Sequence, residues 1–543
     1  MQLRLVLLLA AFAALLAACE KDGATFGPAQ RPRADATYWF GGGAEPESID
    51  PGLAYDSPGL EIARNVFEGL MRYDPVTLEP LPGVAQSYEA SEDGRRYVFH
   101  LRPDARWSSG RPVTAADFVY AWRRVLAPET AAQYAALLWD LENGKAFAEG
   151  RARAEDVGVR ALDERTLEVR LARPVPWFLE LLSFAPFYPV PREAIEAHGI
   201  QWTRPENIVT NGPFHLTQWI IAYQIELTKS PTYWDREHVA LERAVAVISD
   251  DNHAMVRLFR AGALDWMGAD NKPPAEYLGF LAKKADYRAN PELATYFYWL
   301  NLRGETPAQK ASPLLDKRVR QALNLAIDKE ALVEFVLRGG ERAARTLVPD
   351  LFAKKGYVPP EAPGFVPERA RELLAEAGYG PGGKRFPTLT LTYNTDDRHR
   401  QVAEALQQMW KKELGIDVAL ENQEWKVFMN NRTEGYFEIS RAGWTADFQD
   451  PYTFLSQFVS DSEQNEAHWK NPEYDRLVDR ALTEQDDAKR YALYRQAEAI
   501  LMDELPILPV FFYAKQTLIG SWVKGFHANA QDIHPLRDIR LEP

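Results

Sequence analysis

Three consecutive stretches decide the fold: "TLTLTYN" (388–394), "RQVAEALQQMWKKELG" (400–415) and "IDVALENQEW" (416–425). They read as strand, helix and strand. A strand–helix–strand unit implies parallel strands joined by a right-handed crossover. The fold class is therefore α/β. In open α/β sheets, ligands collect beyond the carboxyl ends of the strands. By that rule three segments meet on one rim: the residues from Asn394 to His399, Trp425, and Arg441 after the strand "YFEIS" (436–440).

Arg441 opens a second stretch, "RAGWTADFQDP" (441–451). Asp450 and Pro451 suit the start of a helix through "YTFLSQF", because Asp caps well and Pro is pre-set for the first helical position. Asp447 has no such capping role, and Arg441 has no evident partner. They read either as a complementary pair for a ligand or as plain structure. The structural readings are a surface turn for Asp447 and a salt-bridge role for Arg441, with Asp447 itself as one candidate partner.

Further elements follow on both sides. "YVFHLR" (97–102) and "TLEVRL" (166–171) have strand character. "TAADFVYAWRRVL" begins with a capping box of Thr114 and Asp117. "KRVRQALNLAIDKEALVEFVL" (317–337) reads as one helix stopped by Gly339 and Gly340, and "PERARELLAEAG" (367–378) as another.

A chain of 543 residues is too long for one core, so two to four domains are expected. A formal net charge of −14 and the lack of a Lys/Arg cluster argue against nucleic acid. The N-terminus reads "MQLRLVLLLAAFAALLAAC": one basic residue, a short apolar run, then small residues. This is a secretory signal, too short to span a bilayer, which takes about 20 apolar residues. Cys19 is the only cysteine in the chain. "LAAC" resembles the lipobox of bacterial lipoproteins, which implies lipidation of Cys19 and removal of residues 1–18. Residues 19–35 then read as a polar tether. The expected location is extracytoplasmic, with the membrane reached through the lipid alone and no disulfide to stabilise the fold.

Motifs for covalent or metal chemistry are missing. No HxH, HExxH or G-x-S-x-G spacing occurs. "GYGPGGKR" (378–385) approaches a phosphate loop, but Arg385 replaces its Ser/Thr, and its helix–loop–strand order is reversed. It reads as a helix-ending turn. No cofactor and no metal are expected.

"NVFEGLMRYDP" (65–75), "NGPFHL…SPTYW" (211–234), "VRQALNLAIDKEALV" (319–333) and "LENQEWKVFMNNRTEGYFEISRAGWTADFQDP" (420–451) resemble the extracytoplasmic solute-binding proteins of peptide ABC importers. Within that family, "YNTDDRH" and the Arg-Ala-Gly-Trp and Ala-Asp pattern are similar to its periplasmic oligopeptide-binding branch. The resemblance covers about residues 36–540. It implies a two-lobed periplasmic-binding-protein-like fold, type II and of the three-domain variety, with a hinge crossed near 294 and 513. The first lobe would hold a core domain (36–73, 207–293, 514–543) and an accessory domain (74–206), and the second lobe 294–513. It implies a monomeric receptor that captures short peptides and passes them to the membrane subunits of an importer.

The resemblance also implies roles. Asp447 would pair with the peptide α-ammonium, Arg441 with the carboxylate of a short peptide and His399 with that of a longer one. Trp425, Trp444, Gly443, Tyr134 and Tyr513 would line the pocket. For His399 a solvated turn residue remains the alternative, and for Trp425 a plain core residue. Three positions depart from the pattern. In the segment matching "NLRGETP" (301–307) the family carries a lysine that can meet a dipeptide carboxylate, whereas here only Arg303 is nearby, which argues against dipeptide binding, and Thr445 replaces a disulfide cysteine. Asp270 adds negative charge to a peptide-contacting loop, which points toward basic or amidated peptides. Other ligands of the superfamily are murein peptides, glutathione, nickel chelates and sugars. A secreted hydrolase is a reading of a different class, disfavoured by the missing nucleophile and metal spacings.

Overall fold

The computed structural model describes residues 37–268, 270–380 and 382–542. The signal segment, Cys19 and the tether lie outside the described residues. Among the described residues, no helix is long and apolar enough to cross a membrane.

Two sheets share one apolar core. The first has the strand order Thr37–Gly43, Arg243–Ile248, Gln224–Lys229, Phe214–Ile220, with only the first pair parallel. The second is antiparallel, in the order Ala85–Ala90, Arg96–Leu101, Thr166–Arg170, Val159–Asp163. Phe40 of the first sheet and Phe99, Trp107 and Trp122 of the second unit are all buried in that core. The capping pair is present, with the Asp117 carboxylate accepting from Thr114 N at 2.8 Å at the start of the helix Ala115–Leu126.

A six-stranded sheet forms the other lobe. Its order is Arg342–Ala343, Ile507–Leu518, Tyr287–Leu300, Ile439–Thr445, Leu389–Asn394, Val418–Gln423. Helices cover both of its faces, so side chains alternate between two cores with the strand period of two. Tyr296, Tyr298 and Leu300 enter one core, while Phe297 and Trp299 enter the other. The strand–helix–strand unit is there, with Leu389–Asn394 parallel to Val418–Gln423 in continuous register.

Two long antiparallel strands join the lobes. They pair from Tyr287 with Leu518 to Trp299 with Ile507, and the register shifts between Pro291 and Thr295. At the near end Leu518 O accepts from Met267 N at 2.8 Å, and Trp266 bridges Phe40, which ties these strands to the first sheet.

Four sequence expectations change in detail. The helix after Leu389–Asn394 starts at Asp397, not at Arg400. Asp396 caps it by accepting from the N–H groups of Arg398 and His399, so His399 lies in the first helical turn. The next strand ends at Gln423, because Glu424 acts as N-cap for a helix Trp425–Glu434 and accepts from Lys426 N and Val427 N. The expected helix over 317–337 is broken. Lys317–Leu325 ends, Asp328 caps a new turn by accepting from Ala331 N, and a wider-wound π segment Leu332–Leu337 follows. An Asp inside a helical run can bond the backbone ahead of it, which favours a restart over continuation. Finally, Arg441 sits within the strand Ile439–Thr445 and not beyond its end.

Candidate functional site

The candidate residues fall into two groups. The first surrounds Arg441. On its strand, Arg441 and Gly443 share one face, while Ala442 and Trp444 take the other. Arg441 Nη2 donates to the Tyr513 hydroxyl at 2.9 Å, and Nη1 lies 3.5 Å from Asn394 Oδ1. Its guanidinium stands 5.1 Å from the Tyr296 ring centroid, a cation–π distance. Among the described residues no carboxylate comes within ion-pair range, and Arg441 Nε is buried without a partner. The salt-bridge alternative to Asp447 is thereby removed.

Gly443 explains how Tyr513 gets there. A Cβ at this position would lie 3.0 Å from the Tyr513 hydroxyl and 3.4 Å from Thr295 O. Any side chain would push the phenol away from Arg441. His399 completes the group, with its ring 5.5 Å from that of Tyr296 and Nδ1 3.8 Å from Asp396. It is only 8% exposed, so it is not a solvated turn residue. Burial first, and then the Arg441 charge, push its pKa down to about 3. At neutral pH it is an uncharged imidazole that can donate a hydrogen bond.

The second group surrounds Asp447. Thr453 Oγ1 accepts from Trp444 Nε1 at 3.2 Å and from Asp447 N at 3.3 Å, fixing the turn that carries the carboxylate. That carboxylate makes no hydrogen bond or ion pair with any described residue. Burial alone pushes its pKa up to about 6. The Tyr134 hydroxyl of the first lobe is close enough for the Asp447 charge to raise its own pKa, after burial. Tyr134 is half-buried, edge-on to Phe184 at 5.1 Å. Trp444 packs on the core opposite to Arg441, so it belongs with Asp447 and not with the Arg441 group.

Trp425 joins neither group. It is 50% exposed at the start of its helix, with its ring 6.2 Å from Phe428, so the plain-core alternative fails. It stands just beyond the carboxyl end of the strand Val418–Gln423. Arg303 donates to Glu434 O and closes the end of that same helix. Asp270 is exposed and within reach of Lys515. Lys515 also lies 3.4 Å from Asp532, and Lys272 and Arg398 add further positive charge there, so the region is mixed in charge and not simply acidic. Asp450 accepts from Tyr452 N at 2.9 Å, but the cap position of the short helix Tyr452–Leu455 falls on Pro451 and a tighter turn, Ser456–Phe458, follows; Asp450 also forms a buried ion pair with Arg490 at 3.1 Å. Lys384 N donates to Gly378 O, closing the glycine turn after the helix Pro367–Glu376.

Two partners escaped the sequence reading. Tyr296 lies in the alternating run "TYFYWL", which signals a strand but not which face carries function. Thr453 is hidden in the helix-like "YTFLSQF". Among the described residues, no cluster of His, Cys, Asp and Glu is arranged to hold a metal.

Comparison with known proteins fits this geometry. Residues 79–466 match "Bacterial extracellular solute-binding proteins, family 5 Middle". The periplasmic oligopeptide-binding protein OppA of Salmonella typhimurium is 39% identical over 89% of this chain and 88% of its own. The unliganded open form of the periplasmic murein tripeptide-binding protein MppA superposes with a TM-score of 0.81. Its identity is 34%, over 94% of this chain and 98% of that one. Haemophilus influenzae OppA in complex with the peptide RPPGFSPFR gives a TM-score of 0.75 at 33% identity, over 94% of this chain and 100% of that one. The two lobes joined by paired long strands are the solute-binding fold, and the chain belongs to the bacterial extracellular solute-binding proteins of family 5.

Proposed function

We propose that this protein is the extracytoplasmic receptor of a peptide ABC importer, and that it encloses short peptides between its lobes by their charged ends. Asp447 takes the α-ammonium. Arg441 takes the carboxylate of a short peptide, and the uncharged His399 supports that of a longer one. The observation that carries this reading is the Asp447 carboxylate, partly buried, with no cation among the described residues to meet it. A carboxylate withdrawn from water without a counter-charge is costly, and an incoming ammonium removes that cost. The supported guanidinium of Arg441 offers a charge-assisted site for the opposite end.

The lobes would turn about the register shift between Pro291 and Thr295 and the facing residues near Tyr513. The division into a core domain, an accessory domain over 74–206 and a second lobe over 294–513 belongs to this proposal. So do lipidation at Cys19, delivery to importer membrane subunits, action as a monomer and the lack of catalysis. A murein peptide is the second reading, favoured by the superposition on the murein tripeptide-binding protein. It also presents a free amine to Asp447.

Native mass spectrometry of protein purified without denaturation tests this reading. Release of a ladder of short peptides of mixed sequence is expected. A single murein-type peptide would establish the second reading. A ligand without a free amino group would contradict the role of Asp447.

A further inference from the structure

We propose that Glu180, in the first lobe, is a positioning residue for the amine end of the site. It holds the Asp447 turn through the backbone of Gln449. This rests on the reading of Asp447 as the ammonium acceptor.

The turn is anchored on both sides of Asp447 to different parts of the molecule. Before it, Ala446 N donates to Leu293 O at 2.8 Å, in the long strand that joins the lobes. After it, Phe448 lies flat on Trp177, with ring centroids 4.6 Å apart and planes 4° from parallel. Trp177 also stacks on Tyr452 at 5.0 Å. Gln449 N then donates to Glu180 Oε1 at 2.7 Å in a buried hydrogen bond. The residues on either side of Asp447 therefore serve different cores: Ala446 packs in the second lobe and Phe448 in the first. Asp447 sits on the seam.

The same short segment reaches Tyr134. Trp177 lies just before the helix Phe178–Leu181 and Glu180 within it, and Phe184, four residues past Glu180, carries the edge of Tyr134. Residues 177–184 thus set where both the Asp447 carboxylate and the facing phenol stand. Glu180 itself is buried, with Lys355 at 4.0 Å and that lysine shared with Glu79 at 3.1 Å. Tyr73, Asp450 and Glu79 are its other charged or titratable neighbours. Burial pushes its carboxyl up to about 7, so glutamine resembles one of its natural protonation states and keeps an oxygen to accept from Gln449 N. A solvent-open pocket of about 400 Å³ lies beside Glu180, Lys355, Gln449 and Asp450. Truncation here opens onto existing space and does not have to collapse a packed core.

The test uses one peptide in two forms, with a free or an acetylated amino end. Its affinity is measured for the full-length protein and for Asp447→Asn, Glu180→Gln, Glu180→Ala and Phe448→Leu. The readout is the ratio of the two affinities, which a merely destabilised fold would leave unchanged. Glu180→Gln should keep most of the ratio. Glu180→Ala strands a buried N–H donor and should cut the ratio by roughly tenfold while binding of the acetylated form stays nearly constant. If Glu180→Ala does not fold, Phe448→Leu supplies the same readout from the neighbouring anchor. Equal losses for both peptides, or an unchanged ratio, with discrimination abolished by Asp447→Asn, would overturn the positioning role and leave the amine site standing. An unchanged ratio in Asp447→Asn would overturn both.

Discussion

The two ends of the site are built differently. Arg441 lies mid-strand, already engaged by the Tyr513 hydroxyl and the Asn394 amide oxygen and standing over the Tyr296 ring. Asp447 lies in a turn whose backbone is held by Leu293, Thr453 and Glu180, yet its carboxylate meets no described residue. One end is a cation held by a hydroxyl, an amide oxygen and an aromatic ring, though with no counter-charge and with its Nε unpaired among the described residues. The other is a withheld anion that is costly when empty. The contrast suggests a division of labour. The amine end would supply most of the drive for binding, and the carboxylate end would set register and tolerate peptides of different length.

The largest effect should come from breaking the costly end. Asp447→Ala should weaken binding of free-amine peptides by roughly a hundredfold, the scale of a partly buried charge pair losing one member, and leave N-acetylated peptides nearly unchanged. Isothermal titration of the paired peptides checks this.

Next is Arg441→Lys. A point charge cannot engage Tyr513 and Asn394 as the planar fork does, so a loss of about tenfold is expected for short peptides. C-terminal amidation of the peptide should then matter less than it does in the parent protein.

The pH response separates the ends further. Burial raises the Asp447 pKa to about 6 in the empty protein, and a bound ammonium would lower it again. The bound state then holds fewer protons, so affinity for free-amine peptides rises with pH through about 6 and falls below it. His399, with its pKa near 3, should contribute no step between pH 5 and 8. A titration series that keeps this inflection in Asp447→Asn would contradict the assignment.

The smallest effect is steric. Gly443→Ala places a methyl group 3.0 Å from the Tyr513 hydroxyl, a clash the ring can relieve by a small shift, so a loss of a few-fold is expected, confined to peptides that use Arg441.

Much of this was legible along the chain, and the misses share a cause. The strand–helix–strand unit stood out because its hydrophobic periods are local. The unexplained Arg441 and Asp447 stood out because local capping accounts for Asp450 and not for them. What was lost is what depends on a cap or on distant partners. Asp396 moved one helix start by capping it, which put His399 in a helix, and Glu424 began a helix where a strand was expected, which put Trp425 on an exposed first turn. The strand continued through Arg441, and its alternation sent Trp444 to the opposite face. The Tyr296 ring under Arg441 comes from a neighbouring strand 145 positions earlier in the chain, paired through the sheet register. The bond from Gln449 to Glu180 spans 269 positions, and no local pattern marks either residue.

Proton release on binding tests the central claim most directly. Calorimetric titration at pH 6 in buffers of different ionisation enthalpy measures it. If an uncompensated Asp447 meets the peptide ammonium, a free-amine peptide should release about half a proton, because a carboxyl at its pKa is half protonated before the ammonium ionises it. The acetylated peptide, and the free-amine peptide with Asp447→Asn, should release almost none. Equal release by both peptide forms, or undiminished release from Asp447→Asn, would contradict the account.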